Sequence, residues 1–133
     1  MEHVTNKKIL LVEDDVDIQY LMKQLLESEG YDVNCAANGK EALEKLRDNS
    51  YDPNLIILDL LMPIMDGYQF CQEQIKDDRL AQIPLIVMSA ERDIRGIKTA
   101  IRATDYIKKP LDIDTLLTSV EKISKRPHLK IHN

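Results

Sequence analysis

The chain has little that would anchor it in a membrane, export it or staple it. No stretch approaches the roughly 18 apolar residues of a membrane span. Behind Lys7-Lys8, the run Ile9-Leu10-Leu11-Val12 is too short for the apolar region of a secretory signal. There are two cysteines, Cys35 and Cys71, with no Cys-x-x-Cys partner and each in an apolar segment, so buried reduced thiols are expected rather than a disulfide or a metal site. His3, His128 and His132 stand in the terminal segments without ligand spacing, which argues against a metal centre there. Positive charge is in deficit, 18 Lys plus Arg against 23 Asp plus Glu. The resulting net charge of -5 argues against general affinity for phosphate backbones or anionic lipid. These absences predict a cytoplasmic protein with no membrane contact and no direct nucleic-acid binding.

What is present is an ordinary globular composition, 44% hydrophobic and 31% charged, in 133 residues. That length suits one domain burying about two thirds of the surface its unfolded chain exposes. Residues 9–12 form a compact apolar run that stops at Glu13-Asp14-Asp15, as a strand buried on both faces would. The period then changes. Ile18, Leu21, Met22, Leu25 and Leu26 make the stripe of an amphipathic helix, closed by Gly30 as a C-terminal cap. Tyr31 to Ala36 reads as a second strand, Asn38-Gly39 as a turn, and Ala42, Leu43 and Leu46 as a second helix. The unit repeats: a strand at 55–58, a helix at 68–76, a strand at 85–88, a helix near 93–103, a short strand at Tyr106-Ile107, and a helix over 112–125. Five strands alternating with five helices predict a doubly wound α/β domain with a parallel sheet and right-handed crossovers. No linker or low-complexity segment divides the chain.

In a parallel sheet the residues that terminate different strands meet along one edge, where such folds bind ligands. Glu13-Asp14, Asp59, Ser89 and Lys108-Lys109-Pro110 all stand at such ends. Asp59 poses the sharpest question, because LIILDLLMPIMDG (55–67) is otherwise suited to burial and a lone buried carboxylate costs several kcal/mol or neutralises. Carboxylates drawn into one crevice repel: at an effective dielectric near 20, a pair 4 Å apart costs about 4 kcal/mol. A cation is the natural remedy, and an all-oxygen site with few carboxylates favours Mg²⁺. A carboxylate, a hard cation, a hydroxyl and a lysine are also the parts needed to receive a phosphoryl group. Asp59 would attack phosphorus to give an acyl phosphate, with the metal and Lys109 neutralising the phosphoryl oxygens and Ser89 donating a hydrogen bond.

The motifs LLVEDD (10–15), LDLLMPIMDG (58–67), IPLIVMSA (83–90) and DYIKKP (105–110), in that order, make residues 7–125 resemble the receiver domain of two-component response regulators. Residues 1–6 are then an N-terminal extension and 126–133 a C-terminal tail. The resemblance implies a flavodoxin-like sheet of strand order 2-1-3-4-5, Asp59 as phosphoacceptor, Asp14 as a direct Mg²⁺ ligand and Glu13 as a ligand acting through water. Leu61 would contribute its backbone carbonyl. Ser89 corresponds to the switch hydroxyl, Lys109 to the family lysine, and Tyr106 to the aromatic whose rotamer reports phosphorylation. A cis peptide at Lys109-Pro110 is implied too. The donor would be a sensor histidine kinase or a histidine phosphotransfer protein, and the output a protein contact. Two features depart from the pattern. The interval from Ser89 to Lys109 is a couple of residues short, and Arg102 stands where the family favours glycine. The fourth helix or its entry loop is therefore expected to be shortened or distorted, in a region the family uses for output.

Plainer readings stand beside these. Asp15 suits an N-terminal helix cap better than a third acid of the pocket, and Asp66-Gly67 a turn entering a helix. Ser89 alone would suit the N-cap of the next helix, Lys109 alone a solvated surface lysine as expected for Lys108, and Tyr106 a packed strand aromatic. An aspartyl-phosphate hydrolase is disfavoured because Leu61 occupies the position of the second aspartate such enzymes use, and no cap domain is available. A phosphorylation-independent binding module would leave the acidic set without a purpose. After the last helix only KRPHLKIHN remains, too short for an output module, so a stand-alone regulator and an excised receiver both fit. Leu61 and Glu91 flank the expected path of an attacking water, and Leu61 has no group to orient one. The acyl phosphate is therefore expected to be long-lived; a half-life of seconds in Mg²⁺ buffer, followed by loss of label, would contradict this.

Overall fold

In the computed structural model, residues 7–90 and 94–124 are described. Five strands, β1 (Lys8–Val12), β2 (Asp32–Ala36), β3 (Leu55–Asp59), β4 (Leu85–Ser89) and β5 (Asp105–Lys108), form one sheet of order β2-β1-β3-β4-β5. All four pairings are parallel. The two-residue period of a strand sends alternate side chains to opposite faces, and both faces are apolar. Leu10, Val12, Ile56, Leu58 and Val87 join one core cluster, whereas Ile9, Leu11, Leu55, Ile57, Ile86, Met88 and Ile107 join the other. This double burial is why the strands read as continuous apolar runs rather than alternating ones.

The helices divide between the two faces. α1 (Val16–Ser28) and α6 (Ile113–Ser124) cover one, through Met22, Leu26, Leu116, Val120 and Ile123. α2 (Gly39–Leu46), α3 (Gly67–Gln74), α4 (Asp78–Ala81) and α5 (Ile94–Ala100) lie against the other, through Ala42, Leu43, Leu46, Phe70, Leu80 and Ile97. α1 ends as expected at Gly30, whose φ of 94° is open to a residue without Cβ. The Gly30 amide bonds to the Glu27 carbonyl at 3.0 Å and that of Tyr31 to Leu26 at 3.2 Å, the Schellman pairing.

The structure departs from the sequence pattern at several points. Leu21 belongs to the apolar stripe of α1 but is 58% exposed, since it sits about 100° around the helix from Met22 and a helix lying on a sheet buries only a narrow strip. Asn38-Gly39 is not a free turn: the Asn38 side chain accepts from the Glu41 amide at 2.9 Å and caps α2. α4 is a helix beyond the five expected; Asp77 caps it, and the Arg79 guanidinium reaches back to the Leu46 carbonyl at the C-terminus of α2. The fourth predicted helix ends at Ala100 rather than near 103, in keeping with the short interval before Lys109. The two thiols are free as expected, though half-buried. The terminal extension, the tail, the three histidines, Glu91 and the predicted helix start at 93 lie outside the described residues. No helix among the described residues is long and apolar enough to cross a membrane.

Candidate functional site

The acidic residues gather where β1 and β3 leave the sheet. Glu13 extends the β1 ladder by one bond, its amide donating to the Ala36 carbonyl at 3.0 Å, which carries its side chain inward to 1% exposure. Its carboxylate Oε2 accepts the Asp15 amide at 3.2 Å, and its carbonyl accepts from the Gln19 side-chain amide at 2.9 Å. Asp14, next along, is exposed. Asp59, the last residue of β3, is 5% exposed, and its Oδ1 accepts the Leu61 amide at 3.4 Å. One carboxylate oxygen from each of Glu13, Asp14 and Asp59 lies within 4.8 Å of the others.

From the far side of the sheet comes the compensating charge. The Lys109 ammonium lies 3.1 Å from Asp59 Oδ2 and 3.4 Å from Glu13 Oε1. Its backbone is fixed by the amide bond to the Ser89 carbonyl at 2.8 Å, and the following Lys109-Pro110 peptide is cis. Ser89 ends β4, buried beside this lysine's backbone. Leu61 projects its side chain to solvent, 58% exposed. Asp15 accepts the Asp17 and Ile18 amides at 3.0 and 3.2 Å and is the N-cap of α1, as preferred. Asp66 caps α3 in a reciprocal box with Gln69, and Lys108 is exposed.

Tyr106 lies on β5, part-buried against the cluster that carries α5. Its hydroxyl donates to the Ile101 carbonyl and accepts the Ala103 amide at 2.9 Å, and the Lys98 ammonium sits 5.5 Å above its ring. The hydroxyl thus bonds to the loop that follows the abbreviated α5. Sequence reasoning missed Gln19, which tethers the Glu13 carbonyl; nothing in a helical glutamine advertises that contact.

Three carboxylates meet one lysine, so the cluster keeps an excess of two negative charges if all ionise. Glu13 registers the strain: burial first, and then the Asp59 charge, push its carboxyl up to about 7 despite the Asp15 amide and Lys109. Burial works against the Lys109 ammonium, but Asp59 and Glu13 together outweigh it and hold its pKa above normal. A divalent cation would balance the excess and relieve Glu13. The donor set of three carboxylates suits a hard ion such as Mg²⁺, which keeps several waters and leaves room for phosphoryl oxygens. Among the described residues this is the one group of carboxylate, thiol or imidazole ligands able to hold a metal.

Comparison with known proteins finds relatives over most of the chain. A family model described as the response regulator receiver domain matches residues 9–121. The transcriptional regulatory protein CrdR of Helicobacter pylori is 40% identical over 118 residues, 87% of this chain and 54% of that protein. The chain spans about half the length of the curated relatives it matches. Among solved structures, the response regulator TrrA of Thermotoga maritima, in complex with Mg²⁺-BeF, superposes with a TM-score of 0.77 at 33% identity, covering 88% of this chain and 98% of that one. The receiver domain of a signal transduction histidine kinase from Syntrophus aciditrophicus gives a TM-score of 0.81 at 31% identity, covering 94% and 98%.

The raised Glu13 pKa fixes the sign of a stability effect. Between the ordinary value of 4.5 and about 7, the folded state holds a proton that the unfolded state has released. Stability contributed there is present at low pH and lost as pH rises through 7. With divalent ions chelated, the wild type is therefore expected to lose several degrees of melting temperature relative to Glu13→Gln between pH 5 and pH 8. A difference that stays flat or grows in favour of the wild type would contradict the assignment.

Proposed function

The chain belongs to the response regulator receiver domain family, and from that premise we propose that it is a phosphorelay switch whose phosphoacceptor is Asp59. Receiver domains are phosphoacceptor switches rather than enzymes in the usual sense. The observation that carries the reading is the clustering of Glu13, Asp14 and Asp59 with the Lys109 ammonium bridging two of them. Two flanking acids and a lysine are more than a strand-end aspartate needs for burial; they suit a carboxylate that must accept an anionic group.

Glu13, Asp14, Asp59 and the Leu61 carbonyl would hold Mg²⁺, which supplies positive charge to the transferring phosphoryl oxygens when bound. The chain's own groups do the rest. A carboxylate oxygen of Asp59 attacks phosphorus as the P–N bond of a donor phosphohistidine breaks, so the new acyl phosphate forms as the imidazole leaves. Lys109 moves from the carboxylate pair toward the incoming oxygens, exchanging one ion pair for another, and the Ser89 hydroxyl donates to one of them. Because Ser89 and Lys109 lie beside β5, a shift in either is transmitted to Tyr106, whose hydroxyl bonds to the loop after α5. The output is a changed protein-binding surface along α5, β5 and α6. The domain assists its own phosphorylation and dephosphorylation.

The donor is a sensor histidine kinase or a histidine phosphotransfer protein, and the setting is the cytoplasm. The matched relatives include transcriptional regulators and the receiver of a histidine kinase, so the same unit works as part of longer chains. At a net charge of -5 it offers no electrostatic footprint for nucleic acid, and contact with a protein partner is the output inferred.

Intact mass after incubation with acetyl phosphate and Mg²⁺ tests this. The wild type should gain one phosphoryl group, Asp59→Asn none, and Asp15→Asn as much as the wild type, because Asp15 caps a helix. Label on Asp59→Asn would overturn the acceptor, and no label on the wild type would overturn the function.

A further inference from the structure

Ile64, in the loop from β3 to α3, has a φ of 69° and is 76% exposed. A β-branched residue avoids positive φ, where Cβ crowds the backbone; here the Met65 amide donates to the Pro63 carbonyl at 2.7 Å and closes a tight turn around it. So strained a turn persists where its surroundings hold it. Next in the chain, the Met65 carbonyl accepts the Gly39 amide at 3.0 Å, and the Gly67 amide returns to the Leu60 carbonyl at 2.9 Å. The loop between Leu60 and Gly67 is thus closed at its base and held at its tip by the first residue of α2.

That grip depends on what Gly39 lacks. A Cβ there would lie 2.8 Å from Met65 Cγ and 2.9 Å from the Met65 carbonyl oxygen. The side-chain carbon could swing aside, but the oxygen is the acceptor of the hydrogen bond and is backbone. Any side chain at 39 must push the loop tip away from α2.

The same loop carries the Leu61 peptide, whose amide bonds to Asp59 Oδ1 and whose carbonyl is assigned above to Mg²⁺. We propose that Gly39 is a positioning residue of the phosphorylation site: by admitting the Met65 carbonyl against the start of α2 it holds the β3–α3 loop, with Ile64 in its disfavoured conformation, so that the Leu61 peptide faces Asp59. The inference rests on the reading of Asp59 and its neighbours as a Mg²⁺ site. It assigns a role to a residue at the start of α2, outside the strands that carry the acids.

Calorimetric titration with Mg²⁺ alone, at a temperature where circular dichroism shows each protein folded, tests it. Gly39→Ala should weaken Mg²⁺ binding at least about tenfold, the lower end of what losing a supporting contact costs a metal site. Val120→Ala, on the opposite face of the sheet, should lower the melting temperature without changing Mg²⁺ affinity. Equal affinity in Gly39→Ala and wild type would reduce Gly39 to a packing residue and overturn the inference alone. No heat of binding in the wild type would overturn the proposed function and the inference with it. The wild type also tests the link by itself, because coupling is reciprocal: saturating Mg²⁺ should slow hydrogen exchange at the Gly39 amide. That readout decides the matter even if Gly39→Ala does not fold, and an exchange rate indifferent to Mg²⁺ would contradict the clamp.

Discussion

Repulsion among carboxylates that the fold itself brings together is the constraint on which the structure turns. Asp59 sits at the end of a strand buried on both faces, and Glu13 is more deeply buried still. Desolvating a charge there without a partner would cost several kcal/mol. Lys109, arriving from the end of β5, answers part of the charge by lying within ion-pair distance of both. What it leaves unanswered is visible in Glu13, whose proton is held far above the usual carboxylate range. A cation at this edge would balance the surplus of negative charge.

The parallel sheet makes this possible by geometry rather than by local sequence. Residues separated by 46 positions, Glu13 and Asp59, end adjacent strands that point the same way, so their side chains emerge at one edge. Lys109 reaches them across β4, its backbone bonded to Ser89. The helices then fix the loops that carry these residues. Gln19 of α1 holds the Glu13 carbonyl, Asp15 caps the same helix, and α2 grips the β3–α3 loop through Met65. Stability and function share these contacts: the caps that end helices also set where the acids lie.

Much of this was legible beforehand. Apolar runs that stop abruptly at polar residues betray strands buried on both faces, and their parallel arrangement follows from the alternating helices, so the meeting of Glu13, Asp14, Asp59, Ser89 and Lys109 could be anticipated before any coordinates. Strand order could not be read from periodicity; it came with the family resemblance. Leu21 was misplaced because the helical stripe is wider than the strip a sheet covers. α4 escaped notice because its four residues are too few to show a period, and its stability comes from the Asp77 cap and from Arg79 reaching a distant carbonyl. The Asn38-Gly39 pair has the composition of a turn and serves instead as cap and clamp. Ile64 was invisible for a deeper reason: its backbone conformation opposes its residue type, and a tight turn closed by the Met65 amide on the Pro63 carbonyl, in a loop anchored at Gly39 and Gly67, holds it there.

The acidic edge is held together by positive charge, and three carboxylates against one ammonium leave room for more. The melting temperature of the wild-type protein across a Mg²⁺ titration, with ionic strength held constant, tests it most directly. Ligand that binds the folded state alone must raise stability with the logarithm of its concentration once the site fills. Such a rise is expected for Mg²⁺. A melting temperature unchanged by Mg²⁺ would show that the carboxylates are content with Lys109 and would contradict it.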